Sequence, residues 1–316
     1  MEKLNVGIIG LGAVGERLLK QFTEHPLSRV VAVSDVNTAR MEEVQSRMPD
    51  AAAFTDYRNM LSSEAVNLIY VAVPPKLHHK MVLDAFAANK HVLCEKPLAN
   101  SLQEARYMMD AAASAGVVNA IHFPLPYSGP VHELQRRLEA GFIGKVKRIE
   151  QKMHFPAWPR AWQQNPWIAG REQGGFIREI SPHYIQLIHQ LFGRTKKVNS
   201  YIDFPEDPSA CETGILARME LQDGTPVLIN GLSGVAKEEE IAFTVYGDKG
   251  VLSLKNWSVL TGRTLDGEEV LLERETGRDG IIDELAKAVS GKEAKLVTFQ
   301  EGFAVQETLE KLLNRG

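Results

Sequence analysis

Glu179 and His183 stand four residues apart in the run Ile177 to Phe192, whose apolar spacing is helical, so the two side chains share one helix face. A carboxylate there can orient an imidazole and steady its charge. An imidazole with a pKa near the working pH can take the proton from a hydroxyl group. Lys96 is the third residue with chemistry to offer. It follows the apolar run His91 to Cys94 and precedes Pro97, beyond the carboxyl end of an expected strand, where open α/β sheets gather their ligands. Its ammonium can hydrogen-bond an oxygen and stabilise charge developing on it. Each residue has a plainer alternative: a surface i,i+4 pair for Glu179 and His183, and a solvated strand-end lysine for Lys96. Lys96-Pro97 is also a candidate cis bond.

Proton removal at a carbon–oxygen bond has most use beside a hydride acceptor, and the start of the chain carries the pattern that holds one. Val6 to Ile9 is a β-type run feeding Gly10-Leu11-Gly12-Ala13-Val14-Gly15, after which a helical pattern opens. Gly10 permits a tight turn, Gly12 lets the backbone approach a pyrophosphate, and Gly15 lets the helix pack close to its strand. The helix N-terminus offers N–H groups and partial positive charge to phosphates. A second apolar run, Arg29 to Ser34, ends in Asp35, 25 residues after Gly10. A carboxylate there accepts from ribose hydroxyls and repels a 2′-phosphate, which favours NAD over NADP; Arg40 is the nearby residue that suits a 2′-phosphate. The alternative role for Asp35 is to cap the next helix.

The 316 residues suffice for two domains. Hydrophobic content of 44% and charged content of 24% are ordinary for a soluble protein, while a net charge of −4 and no basic stripe argue against nucleic acid. No signal-peptide pattern and no membrane-length apolar run is seen. Two cysteines, Cys94 and Cys211, fit a reducing cytoplasm and read as buried thiols, and no metal-ligand set is evident.

Residues 1–121 alternate strand and helix: after Asp35 come helical Thr38 to Met48 and Asp56 to Leu61, strand Val66 to Val73, helix Leu77 to Ala88, strand His91 to Cys94, helix Ser101 to Ala115 and strand Val117 to His122. This is the pattern of a doubly wound parallel sheet, a Rossmann domain. Pro124, Pro126 and Pro130 mark a joint. The remainder, 122–316, has a helix at Pro130 to Ala140. Longer β runs follow at Val146 to Phe155, Lys197 to Phe204, Glu212 to Leu221, Pro226 to Ser233, Glu240 to Tyr246, Val251 to Leu254 and Val270 to Glu273. Asp223-Gly224 and Asp248-Lys249-Gly250 read as hairpin turns. Asp279 to Val289 and Gln300 to Asn314 close the chain as helices. The expectation is an α/β protein: a Rossmann domain, 1–121, and a substrate-binding and oligomerisation domain, 122–316, built on a large, mostly antiparallel open sheet. Such a sheet often buries its outer face on another copy, so a homodimer or homotetramer is expected. Trp158, Arg160, Trp162 and Trp167 precede the helix that carries Glu179. Their ring faces and donors suit a sugar-like ligand, with packing on the sheet as the alternative.

The ordered set Gly10-x-Gly12-x-x-Gly15, Asp35, Pro74…His78, Glu95-Lys96-Pro97 and Gly174-Gly175-x-x-x-Glu179-x-x-x-His183 resembles the glucose-fructose oxidoreductase, inositol dehydrogenase and rhizopine catabolism (Gfo/Idh/MocA) oxidoreductases over essentially the whole chain. The resemblance implies reversible oxidation of a sugar, cyclitol or related hydroxyl by NAD(P), with Lys96, Glu179 and His183 as the catalytic trio. It implies cofactor contacts from Gly10, Leu11, Gly12, Ala13, Val14, Gly15, Asp35, Val73, Pro74, His78, Glu95, Lys96 and Pro97. Within that set His78 braces the loop under the nicotinamide, and Glu95 orients Lys96 or contacts the ribose. His122, Trp162 and Gln186 are candidate substrate contacts; His122, with His154 and His189, otherwise reads as structural or pocket-lining. The chain departs from the family pattern in having Glu179 where Asp is usual, Gln186 in place of an acid, Pro75 after Pro74, and Gln163 after Trp162. These departures bear on the substrate rather than the fold. Two other functions stay open: a redox-neutral hydrolase or lyase with tightly bound NAD, and a dinucleotide-sensing regulator.

Overall fold

The computed structural model describes residues 3–163, 165–272 and 280–314. They form two compact units, 1–123 with 279–303, and 124–278 with 304–316. The chain therefore returns to its first unit near the end, whereas the sequence reading had assigned all of 122–316 to one domain.

The first unit is built on β1 (Leu4–Ile9), β2 (Ser28–Ser34), β3 (Ala52–Phe54), β4 (Leu68–Val71), β5 (His91–Glu95) and β6 (Asn119–His122), ordered β3-β2-β1-β4-β5-β6 with every pairing parallel. The order reverses between β2-β1 and β1-β4, which opens the ligand crevice of a doubly wound fold at the carboxyl ends of the strands. All four side chains of β4 are buried, as expected of a strand covered on both faces. The helices are α1 (Ala13–Glu24), α2 (Thr38–Arg47), α3 (Tyr57–Leu61), α4 (Pro75–Ala87) and α5 (Leu102–Ala115). α1 buries Gly15, Leu18, Leu19 and Phe22, the i, i+3, i+4, i+7 stripe of an amphipathic helix. α5 starts where Ser101 accepts from Glu104 N and Glu104 accepts from Asn100 N. The strand β3 was not expected. The returning segment adds Ile121 N–H to Val297 O (2.8 Å), Phe299 N–H to Asn119 Oδ1 (2.9 Å), and the Phe299 ring against Phe86.

The second unit holds α6 (Gly129–Glu139), β7 (Val146–Phe155), α7 (Phe176–Phe192), β8 (Thr195–Asp203), β9 (Gly214–Leu221), β10 (Pro226–Ser233), β11 (Glu240–Gly247), β12 (Gly250–Lys255), β13 (Val259–Thr264) and β14 (Val270–Leu271). The eight strands run β14-β13-β12-β11-β7-β10-β9-β8, antiparallel except for β10 with β7. The strand β13 was not expected. Glu273 and Asp279, read as the ends of a strand and a helix, lie outside the described residues. Alternation puts Ile149, Met153, Phe155, Met219, Ile229 and Phe243 on the buried face. Against it lies α7: Tyr184 stacks on Phe243 at 5.7 Å, and Phe176 meets Phe155 at 5.6 Å. Two further helices close the chain, α8 (Ile281–Val289) and α9 (Phe299–Leu312). Buried Glu310 of α9 accepts from Arg178 of α7 (3.2 Å).

Candidate active site

In the first unit the glycine turn is shaped by close approach at both ends. Gly10 has φ +95°, and a side chain there would strike the Ala72 carbonyl. One on Gly15 would strike the Gly10 carbonyl. At Gly12 a Cβ would meet nothing within 4 Å. α1 begins at Gly12 with no side-chain cap, so its N-terminal N–H groups and partial positive charge face an open place. Asp35 fastens this turn, its Oδ2 accepting from Leu11 N (2.7 Å) and its Oδ1 from Asn37 N (2.8 Å). Capping of α2 falls instead to Asn37, whose Oδ1 accepts from Arg40 N (3.2 Å). Two backbone donors still leave the carboxylate lone pairs for hydroxyl groups. An uncapped helix end, an open glycine and a carboxylate beside them suit a dinucleotide.

Around Lys96 the strand ends are crowded with polar groups. The Lys96–Pro97 bond is cis. His78 is fully buried, with Nδ1 3.0 Å from Pro97 O and Nε2 2.8 Å from Val73 O, and burial holds its pKa below the ordinary value. As a neutral ring it donates its one N–H to one of these carbonyls and packs against the other. Glu95 turns inward and is only 8% exposed. Its Oε1 accepts from the Tyr70 hydroxyl and from His122 Nδ1 (2.6 Å). Burial would push the Glu95 carboxyl up, yet His122 and Tyr70 bring it down to about 2. Two roles read from sequence meet here: Glu95 spends this oxygen on protein groups, and His122 commits one nitrogen to Glu95. Tyr70 escaped the sequence reading because tyrosine in a buried run passes as apolar. Its hydroxyl, which needs a partner when buried, was the available signal.

In the second unit Gly174 and Gly175 precede α7. A side chain on Gly174 would strike the Ile168 and Trp167 carbonyls. Gly175 has φ +95°, and a side chain there would strike the Glu212 carboxylate. Buried Glu212 accepts from Ile177 N (2.7 Å) and caps α7 with negative charge. Glu212 was missed by the sequence reading, since its partner is a backbone group 35 residues away. Glu179 sits one turn into α7 and His183 a turn later, where the imidazole meets the Trp257 ring edge-on at 5.2 Å. Trp257 occupies the β12–β13 turn with φ +69° and stacks on Tyr184 (5.3 Å). Gln186 donates to Gln190 (3.0 Å), while its buried Oε1 has no partner among the described residues.

The aromatic loop divides. Trp158 packs on Phe155 and Phe176, whereas Trp162 is 66% exposed. Arg160 lies over both tryptophan rings and is held by Glu239 through two hydrogen bonds of 2.8 and 3.0 Å. A groove of about 320 Å³ on the outer sheet face is lined by ion-paired Lys152, Glu240, Lys255 and Glu269 and includes no residue of the expected site. Cys94 and Cys211 are both buried and unlinked. No described helix is long and apolar enough to cross a membrane.

The family model described as oxidoreductase family, NAD-binding Rossmann fold, matches residues 4–123, and the GFO/IDH/MocA C-terminal domain matches 131–253. The chain belongs to the Gfo/Idh/MocA oxidoreductases. Among relatives, levoglucosan dehydrogenase of Pseudarthrobacter phenanthrenivorans is 26% identical over 223 residues, which is 66% of this chain and 56% of that protein. The chain thus matches little more than half the length of that relative. Inositol 2-dehydrogenase of Agrobacterium fabrum is 25% identical over 258 residues, 79% of this chain and 74% of that protein. A solved levoglucosan dehydrogenase in complex with NADH shares the fold, with a TM-score of 0.83 at 18% identity, covering 99% of this chain and 97% of that one.

Proposed function

We propose that this Gfo/Idh/MocA member is an NAD-dependent dehydrogenase acting on a hydroxyl-bearing carbon of a sugar or cyclitol. The observation that carries the reading is the open Gly12 position at the uncapped start of α1, with Asp35 bonded to the same turn. Gly10, Leu11, Gly12, Ala13, Val14 and Gly15 would hold the pyrophosphate, Asp35 the adenosine ribose, and Val73, Pro74, His78, Glu95, Lys96 and Pro97 would form the nicotinamide end. Bound NAD supplies the hydride acceptor. The Asp35 carboxylate disfavours a 2′-phosphate, so NAD is preferred to NADP despite exposed Arg40. Lys96 donates to the reacting oxygen and stabilises its charge, while His183 removes the hydroxyl proton. Glu179, on the same face of α7, stabilises the imidazolium that results. Trp162, Gln186 and His122 are assigned to substrate recognition. A sugar or cyclitol agrees with the levoglucosan and inositol dehydrogenases among the relatives, and the exposed Trp162 ring suits the apolar face of such a molecule. The outer sheet face exposes Tyr201 and Leu216, which are cross-strand partners, and Leu232, and we assign it to a second copy of the chain.

The test is reduced-cofactor absorbance with NAD and NADP across sugars, inositols and their oxidised forms, for wild type, Lys96→Met and His183→Asn. Turnover with NAD that falls at least about 100-fold in both variants, with cofactor affinity kept in His183→Asn, is the expected result. Tight NAD binding without net reduction on any substrate would transfer the site to redox-neutral or regulatory use.

A further inference from the structure

Lys96 lies between two neighbours that are both tied down. On one side, three strands each contribute one side chain to a single meeting point: Tyr70 from β4, Glu95 from β5 and His122 from β6, with Glu95 and His122 in direct register. The phenol and the imidazole converge on the same Glu95 oxygen. On the other side, the Pro97 carbonyl lies against His78. The Glu95 carboxylate sits in a place that would favour its neutral form, and donors hold it ionised instead. The other groups bearing on this cluster are Lys96 and Cys94 from its own segment, His78 from α4, and Arg17 of α1, whose charge reaches Tyr70. Tyr70 is fully buried, its ring packed on Phe22 and His122. Burying a phenol, a carboxylate and an imidazole together costs more than an apolar strand end would. Fold stability alone does not call for the cluster.

We propose that Tyr70 and His122 are positioning residues for Lys96, holding the Glu95 side chain as a fixed, buried anion that sets where the lysine sits and balances its charge. The inference rests on the reading of Lys96 as the group that binds the reacting oxygen. With one donor removed, Glu95 protonates more easily, its side chain gains rotational freedom, and the adjoining lysine loses both its fixed neighbour and its counter-charge. The imidazole gives its Nδ1–H to the carboxylate, so the carboxylate is what the network orients.

Tyr70→Phe is the decisive variant, because it removes one hydroxyl and keeps the ring. The expected outcome is an unchanged fold, an NAD Kd within about threefold of wild type, and a kcat lower by roughly 10- to 100-fold, with the acid limb of its pH profile moved to higher pH. His122→Asn should move the acid limb in the same direction and, because His122 is also assigned to substrate recognition, raise the substrate KM besides. A kcat and a pH profile equal to wild type, with or without a lower Tm, would overturn the proposal. NMR decides the matter independently of turnover. In wild type the His122 proton resides on Nδ1 and the ¹³C-labelled Glu95 carboxyl stays ionised across the neutral and mildly acidic range; in Tyr70→Phe that carboxyl titrates at higher pH. Identical Glu95 titrations in the two proteins, or an unprotonated His122 Nδ1, would also overturn it. Wild type inactive on every substrate, with the NMR differences intact, would instead sink the dehydrogenase reading alone.

Discussion

The glycine turns that launch α1 and α7 are finished in opposite ways. At α1 the middle glycine, Gly12, is left with open space and no capping side chain. At α7 both glycines are packed shut, and the Glu212 carboxylate sits where a ligand anion would otherwise sit. A helix N-terminus attracts negative charge in either case. The protein supplies that charge itself at α7; at α1 no side chain caps the helix, and the proposed dinucleotide would supply it. The same residue type therefore marks a cradle in one place and a cap in the other, and what separates them is whether a buried carboxylate answers the exposed N–H groups.

The comparison is broken most directly by adding one methyl group to each turn. Gly175→Ala, forced to φ +95° against Glu212, should cost about 2–4 kcal/mol in denaturant unfolding. Gly12→Ala should change stability by no more than about 0.5 kcal/mol, yet weaken NAD binding at least about tenfold by calorimetry. Wild-type affinity in Gly12→Ala would remove the distinction. A second effect concerns the far end of α7. His189 contacts Thr195 and Arg194, and burial, with Arg194, lowers its pKa from 6.5 to about 3. The imidazole is neutral in the fold and protonated in the unfolded chain between those values, so acid favours unfolding there. Stability should fall by up to about 1.4 kcal/mol per pH unit on descending from 6.5 toward 3. His189→Gln should flatten that slope in urea titrations run at several pH values. The smallest effect is Glu212→Gln, which keeps an acceptor for Ile177 N but removes the charge. It should cost about 1 kcal/mol by thermal unfolding and leave NAD affinity unchanged.

The parallel sheet was legible because strands covered on both faces are continuous apolar runs, as in Val66 to Val73. The β3 strand was not, since Ala52–Phe54 is too short to show any period. Nor was β13, a strand with half of its side chains exposed. The glycine fingerprint could be read because close backbone approach leaves no room for a side chain at Gly10 and Gly15, and Asp35 and Lys96 stand out by their place just after apolar strands. What held those residues could not be read in the same way. Leu11 N–H on Asp35 and Ile177 N–H on Glu212 are backbone partners with no residue signature. Tyr70 shows its hydroxyl only once three strands are aligned. Gly174-Gly175 was legible as a motif, but its causes, room for the Ile168 and Trp167 carbonyls at Gly174 and for Glu212 at Gly175, were not.

The return of residues 279–303 to the first unit has a consequence for how the protein is made. Asn119 Oδ1 waits for the N–H of Phe299, 180 positions later, and Ile121 waits for Val297. On a ribosome releasing the chain from its N-terminus, the glycine turn and all six parallel strands emerge long before these partners exist. The nascent first unit must therefore pass the synthesis of more than half the protein with the outer strand β6 incompletely covered, a vulnerable interval in which chaperones have a natural point of engagement.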